Sequence, residues 1–358
     1  MKRSKFYQFF PPPKFLQMPS VGLDISDTAM RFVELVEKRK GFVIGRFGER
    51  QIPRGIIEAG EVKKPDELRA IFKDIKNVYD LEFVSVSLPE EGAYLFELRL
   101  PSMKYSDIRG SIELVLEEHV PIKANEAIFD YDIVKEDQSF INVSVCAVPK
   151  SLVDGYLEAL SGSGIIPVAF EIEAHSIARA LIPAGSLGTF MTVDFGKTRT
   201  GIAIVSEGVV QFTSTVPIGG GVLTDLIMKT LNVSYDEAVK IKHEKGIDSN
   251  NAEDNLSTLL MSTVAVIRDE INRHQSYWQG HTDEYGNRRP DIEKIYLCGG
   301  ESNMVGFLEY LSSGVASPVE LANALTNVNT LDNYIPEINF SDSLRYATAL
   351  GLALRRSQ

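Results

Sequence analysis

The apolar positions change period along the chain, and those changes mark its elements. From Val21 the runs VGLDIS, MRFVELVE and GFVIGRFGERQIP are extended in character, with turns near Asp27-Thr28 and Lys40-Gly41. The period then lengthens. Leu68, Ile71, Phe72, Ile75, Val78 and Tyr79 recur at three- and four-residue spacing behind Pro65, which predicts a helix over 65–79. FVSVSL and AYLFELRL return to the strand pattern. A helix over 106–119, with Ile108, Ile112, Val115 and Leu116 on one face, precedes two more strands, IFDYDIV and FINVSVCAV. One helix among four strands makes a small α+β module. Residues 82–150 are expected to form it as an insertion, because residues 151–190 go back to helix, short strand and helix.

A second meander follows. MTVDFGKTRTGIAIVSEGVVQFTSTVPIGGG, opening with a strand over Gly188–Asp194, repeats the strand, turn, strand, strand order of the first. Setting Asp194 on Asp24 pairs Thr198 with Thr28 and VDFG with LDIS. Element order and turn position repeat, so two like halves are expected by internal duplication. Helices are expected near 222–231, 235–245 and 256–279, then a strand ending in a glycine pair (IYLCGG) and a helix over 303–313. A loop-rich stretch from Val315 leads to a last helix carrying Leu344, Tyr346, Ala347, Leu350 and Leu354.

Composition narrows the class. A chain of 358 residues, 44% of them hydrophobic, has room for two or three domain-sized units with ample core. Its 37 basic and 49 acidic residues leave a net charge of −12, which argues against a nucleic-acid partner. Two cysteines, Cys146 and Cys298, exclude a disulfide framework and a Cys-rich zinc site, and both read as buried thiols within apolar runs. Apolar runs fall short of a membrane span. Residues 1–19 read as a tail, because the basic start is followed by Phe6-Tyr7-Gln8-Phe9-Phe10 and three stiffening prolines instead of a signal peptide's apolar core. That tail suits contact with an anionic membrane surface or a plain leader. A cytoplasmic protein is the expectation.

The common catalytic signatures are absent: there is no G-x-x-x-x-G-K-[ST], no G-x-G-x-x-G after a strand, no H-E-x-x-H and no G-x-S-x-G. His274 and His281 lack metal-pair spacing and are expected in surface or capping roles. What remains is the pair of strand-Asp-turn elements. A tight turn after a strand presents backbone N–H groups that can hold phosphate. Asp24 and Asp194, ending the two strands, would repel phosphate directly but can hold Mg²⁺ through water. Taken singly, each Asp also serves as an ordinary turn-starting residue. Two copies in matched halves, with the Cβ-free pair Gly299-Gly300 after a third strand where an adenine ring can lie on the backbone, point to a nucleotide.

These motifs resemble the phosphate-1, phosphate-2 and adenosine motifs of the actin-like ATPase superfamily. VGLDISDTAMRFVEL, TVDFGKTRTGIAIV and IYLCGGESNMVGFLEYL are similar to those of the PilM family of type IV pilus assembly proteins, relatives of the FtsA division proteins. LRLPSMKYSDIRGSIELVLEEHVPI, DYDIV and VCAVPKSLVDGYLEALSGSGIIPVAFEIEAHSIARAL extend the resemblance over nearly the whole chain from Val21. It implies an α/β, actin-like (ribonuclease H-like, duplicated) two-lobe fold with an inserted α+β subdomain. Residues 20–81, 151–189 and 340–358 would form the first lobe and 82–150 the inserted, partner-binding subdomain. Residues 190–339 would form the second lobe, with a helical part over about 222–280.

The resemblance further implies ATP and Mg²⁺ in the cleft. Asp24 and Asp194 would serve the metal, while Ser26, Asp27, Thr28, Gly196, Lys197, Thr198, Gly220, Gly221, Lys242, Gly299, Gly300 and Glu301 would serve the nucleotide. The partner implied is the N-terminal cytoplasmic peptide of a PilN-type inner-membrane protein, with self-association a further expectation and membrane contact only indirect. Glu126, Asp130 and Asp132 would suit a basic peptide, or form a solvated strand face. A polymerising, FtsA-like division ATPase is the alternative, and the end Ala353-Leu354-Arg355-Arg356-Ser357-Gln358, without a separate amphipathic helix, is expected to disfavour it. A sugar-kinase reading lacks an identifiable sugar-binding base.

Three departures from the family pattern bear on affinity. Ser26 stands where the first loop usually has Gly, and Asp27 where it has a small residue, so negative charge beside the phosphates weakens binding unless Asp27 points away. Val239 stands where the family tends to place a ribose-binding Glu, and Ser234-x-x-Glu237 reads as a capping box. For orienting an attacking water only Glu173, ahead of a helix at the lobe junction, is a candidate catalytic residue, and packing explains it equally well. Glu117 and Glu118 belong to the inserted helix, away from the cleft.

Overall fold

The structure is a computed structural model that describes residues 20–38, 41–247, 255–282, 286–329 and 334–355. The N-terminal tail, Lys40 and Arg356-Ser357-Gln358 lie outside the described residues. The first meander is Ser20–Ile25 (β1), Ala29–Lys38 (β2) and Gly41–Gln51 (β3), paired antiparallel in order. A small hairpin of Ile57–Glu58 (β4) and Glu61–Val62 (β5) leads into Pro65–Tyr79 (α1). This helix buries Leu68, Phe72 and Ile75 and stops at Asp80, whose left-handed backbone (φ 51°) closes its end.

Next comes Phe83–Leu88 (β6), which corrects the expected boundary of the inserted module. Instead of joining the module, β6 pairs parallel with β1 in the first sheet. Its V-S-V-S alternation imitates a half-exposed strand, yet both faces are buried because Ser87 is fully enclosed and hydrogen-bonded. The module itself comprises Tyr94–Pro101 (β7), Tyr105–His119 (α2), Ala127–Glu136 (β8) and Phe140–Pro149 (β9), in sheet order β7-β9-β8. It has its own core, in which Ile108, Ile112 and Leu116 of α2 meet Ile141, Val143 and Val145 of β9.

The chain then returns through Lys150–Leu160 (α3), Ile166–Ile172 (β10) and Glu173–Leu181 (α4). The second meander is Thr189–Phe195 (β11), Thr200–Ser206 (β12) and Val209–Val216 (β13). Gly220–Leu231 (α5), Tyr235–Lys245 (α6) and Asn255–Gly280 (α7) form a helical layer over it, followed by Lys294–Cys298 (β14) and Phe307–Gly314 (α8). Val319–Leu321 (β15) is a short strand within the stretch expected to be loop, and Phe340–Ser343 (α9) and Ala347–Leu354 (α10) close the chain.

The duplication is visible in the topology. The first sheet reads β3-β2-β1-β6-β10 and the second β13-β12-β11-β14-β15, each an antiparallel meander followed by two parallel strands. Between the sheets lie α4 and α10, whose small apolar residues Ala174, Ala178, Ala347 and Ala349 let the layers approach. The approach is closest at Gly351, where a Cβ would sit 1.8 Å from the Ser176 carbonyl oxygen. His274 is 7% exposed against the Phe212 ring, contrary to the expected surface role, because α7 is held against β13 along this face. His281 does stay exposed, with Nδ1 2.8 Å from the Tyr277 carbonyl at the end of α7.

Candidate functional site

The two meanders set their first turns against each other across a cleft of about 350 Å³. In the first turn Ser26 N–H donates to Ala29 O (2.9 Å), and Ala29 N–H donates to the Ser26 hydroxyl (3.2 Å). Ser26 thus closes the first turn with its own side chain, at the position where glycine was the expected residue. In the second turn Gly196 N–H donates to Arg199 O (3.0 Å). Among the described residues, the N–H groups of Asp27, Thr28, Lys197 and Thr198 have no acceptor in the protein. Such pairs of uncommitted donors at a turn are suited to phosphate oxygens.

Asp24 and Asp194 end β1 and β11 at the cleft floor. Asp24 Oδ1 accepts from the Ser87 hydroxyl (3.1 Å), and Ser87 Oγ accepts from Ile25 N–H (2.8 Å). Burial pushes the Asp24 carboxyl up from its usual range, against the opposing charge of Arg31. Burial and the neighbouring Asp24 push Asp194 up to about 6. Two crowded carboxyls short of compensating charge are a fit for a hydrated cation. Among the described residues no group of three acidic, His or Cys side chains forms a direct metal cage.

The cleft brings together Asp24, Ser26, Thr28, Glu173, Asp194, Gly196, Lys197, Thr198, Lys242, Gly299, Gly300 and Glu301. It does not include Asp27, Gly220 or Gly221 in its lining. Asp27 turns away, accepting from Gly60 N–H (3.0 Å) and lying 3.6 Å from Arg199. Gly220 and Gly221 donate their N–H groups to the carbonyls of Gly196 (3.0 Å) and Lys197 (2.8 Å), which ties the start of α5 to the second turn. Lys242 is buried, with Nζ 2.6 Å from Glu301 Oε2 and 3.1 Å from Gly220 O. Gly299 has φ +91°, and a Cβ there would lie 2.3 Å from Asp194 Oδ1, so only glycine fits behind the floor. Ser234 does cap α6, accepting from Glu237 N–H (3.3 Å), and Val239 lines the cleft at the second-lobe wall.

Sequence reasoning missed the cations. Arg31 of β2 lines the cleft and pairs with Glu49 (2.9 Å). Arg199 pairs with Glu173 (2.9 Å) and Glu91 (3.1 Å). Burial works against its charge, but Glu173, Glu91, Asp27 and Glu90 more than offset this and hold the guanidinium protonated. Burial, with Asp24, Glu90 and Asp194 nearby, raises Glu173 despite its Arg199 partner, and Glu90 is pushed up to about 8 chiefly by burial.

A second groove, of about 540 Å³, runs between the inserted module and the lobes. Asp132 and Ser144 of the module form one wall, and His175, Ala178 and Arg179 of α4 form another. Asp130 is exposed on β8 near Asp132, and Glu126 lies exposed just before that strand.

The family model described as type IV pilus assembly protein PilM matches residues 22–357. The chain belongs to this family. PilM membership agrees with the solved structures. The protein shares 20% identity and a TM-score of 0.79 with a PilM-PilN type IV pilus biogenesis complex, over 94% of this chain and 98% of that chain. It shares 13% identity and a TM-score of 0.53 with MreB 5 of Spiroplasma citri bound to AMPPNP, over 95% of each chain. These likenesses show an actin-like fold. The cell division protein FtsA of Staphylococcus epidermidis is 22% identical over 222 residues, 56% of this chain and 46% of that protein. The chain therefore spans about half the length of that curated relative. Among the described residues no helix is long and apolar enough to cross a membrane.

Proposed function

We propose that this PilM-family protein is an ATP-binding scaffold of the type IV pilus inner-membrane platform, acting in the cytoplasm. The observation that carries the nucleotide half is the pair of facing turns with uncommitted N–H groups above Asp24 and Asp194. Ser26, Thr28, Lys197 and Thr198 hold the phosphates, Gly299 and Gly300 receive the adenine ring, and Asp24 and Asp194 hold a hydrated Mg²⁺. The metal supplies charge neutralisation between the carboxyls and the phosphates. Lys242 acts through Glu301 and the start of α5, with both of its contacts made inside the protein. Glu173, which lines the cleft, would orient an attacking water, and its pairing with Arg199 would keep any hydrolysis slow.

The partner half is supported by the relative in a PilM-PilN complex and by the second groove. A basic N-terminal peptide of a PilN-type membrane protein fits a wall bearing Asp132, with Asp130 and Glu126 adjacent. The helix α4 lines both cavities: Glu173 faces the cleft, while His175 and Arg179 face the groove.

A polymerising, FtsA-like role draws on the sequence match to FtsA and requires self-association. Sedimentation with Mg-ATP at rising protein concentration separates the two. The scaffold reading expects no sedimenting polymer, together with saturable binding of a PilN-type peptide; polymer without peptide binding would favour the alternative.

A further inference from the structure

The second groove is assembled from three parts of the fold, and its two ends differ in chemistry. One end is charged. Asp132 on the module's wall is exposed, and its cross-strand partner Ser144 lines the groove beside it. Opposite lies the first turn of α4, where burial lowers His175 from its usual range and so leaves it neutral near pH 7, within reach of the Asp132 charge. Glu171 is already engaged. Arg179 donates to both of its carboxylate oxygens, one at 2.8 Å, and the Ser176 hydroxyl adds a further bond at 3.0 Å. Asp132 is therefore the carboxylate with which the groove can meet a cation.

The other end is apolar, and the second sheet supplies much of it. Val205, Val209 and Val210 of the β12–β13 hairpin line the groove together with Ile182, which follows α4. The hairpin is stiff. Ser206 pairs with Val209, so its loop is only Glu207 and Gly208, both at positive φ (53° and 80°), as a type I′ turn requires. Asn327, from the stretch after β15 of the second sheet, fastens this end to α4. Its side chain donates to the carbonyls of Arg179 (2.8 Å) and Ile182 (2.6 Å) and accepts from Ala184 N–H (2.9 Å). A wall fixed in this way asks little ordering of itself when a ligand arrives. The helix sets the distance between the ends: from His175 to Ile182 the chain advances about 10 Å, which an extended peptide spans in about three residues.

Resting on the partner reading above, we propose that the β12–β13 hairpin of the second lobe is the far wall of the peptide site. The groove then selects an extended peptide that sets a cation on Asp132 and an apolar side chain, about three or four residues away, against Val209. Such a peptide touches the module, α4 and the second lobe at once. Its cation reads the module, and its apolar residue reads where the second lobe sits.

The test is calorimetric titration of the full chain with a PilN-type N-terminal peptide, and with the same peptide carrying Ala at the apolar position nearest that spacing from its cation. Wild type, V209D, V209T and D132N are compared, with thermal melting to check folding. V209T keeps the β-branched shape, so it preserves the hairpin if V209D does not fold. V209D is expected to lose about tenfold or more in peptide affinity and V209T about threefold. The Ala peptide is expected to lose about tenfold on wild type but less than threefold further on the Val209 variants, because the two changes remove one contact. Losses that simply add overturn the proposal. So do folded Val209 variants that bind within twofold of wild type while D132N weakens binding, a result that keeps the partner reading and confines the peptide to the module and α4. Wild type that binds no peptide removes the partner reading, and this inference with it.

Discussion

Lys242 Nζ lies 2.6 Å from Glu301 Oε2, joining α6 to the turn after the glycine pair at a point where the lysine is 2% exposed. The same ammonium donates to Gly220 O at 3.1 Å, so one side chain ties together α5, α6 and the glycine-pair turn. Removing one partner of a buried ion pair leaves the other charge uncompensated. Lys242→Met is expected to destabilise the protein by about 3 kcal/mol, and Lys242→Met with Glu301→Leu by clearly less. Denaturant unfolding of the two variants checks this; equal losses would show that the pair contributes little.

Asp24→Ala and Asp194→Ala are each expected to weaken Mg-ATP binding by about tenfold or more, since each removes half of the acidic floor proposed to hold a hydrated cation. Calorimetry reads the affinity. Unchanged affinity in both variants would sink the cleft assignment.

Glu90 makes stability depend on pH in a stated direction. Its folded pKa is raised from 4.5 to about 8, mainly by burial. The folded state therefore holds a proton that the unfolded chain has lost between these values, and stability falls as pH rises through that window. The contribution is fully present below about pH 4.5 and gone above about 8. Glu90→Gln is expected to flatten the profile and to be more stable than wild type at pH 8, by about 2 kcal/mol or more. Urea unfolding at pH 5 and pH 8 checks this, and parallel profiles for the two proteins would contradict it.

Asp132→Arg reverses the charge on the module's wall of the second groove. It is expected to weaken binding of a basic PilN-type peptide at least tenfold while leaving Mg-ATP affinity within twofold, because Asp132 is exposed and absent from the cleft lining. Parallel peptide and nucleotide titrations of the variant check both halves. Loss of both ligands would mean misfolding or a coupling tighter than the shared helix supplies.

Much of this architecture is legible in the chain because it is written twice. Asp24 and Asp194 each end a strand ahead of a tight turn, and the repeat turns two ordinary turn residues into one site. The partners across the cleft are harder to read. A charged residue in a turn is normally solvated, so Arg199 carries no sign of its ion cluster, and neither do Glu90 and Glu91 after Pro89. One signal was present: matching Thr198 with Thr28 sets Arg199 on Ala29, a bulky cation where the other half has a methyl group. The strand β6 is hard to place from sequence for a related reason. Its serines look solvent-facing by pattern, but Ser87 is enclosed because it holds Asp24 and the Ile25 N–H. Periodicity registers polarity, not whether a polar atom has found its partner inside.

The central claim is that nucleotide and partner occupy two cavities joined by α4. Its most direct test is titration of nucleotide-free protein with Mg-ATP, alone and in the presence of a saturating PilN-type N-terminal peptide. Saturable ATP binding whose affinity shifts several-fold with peptide, matched by an equal shift of peptide affinity with ATP, is the expected result, because linkage makes such coupling reciprocal. Peptide binding with no ATP binding at all would contradict the account and leave an actin-like fold used as an adaptor alone.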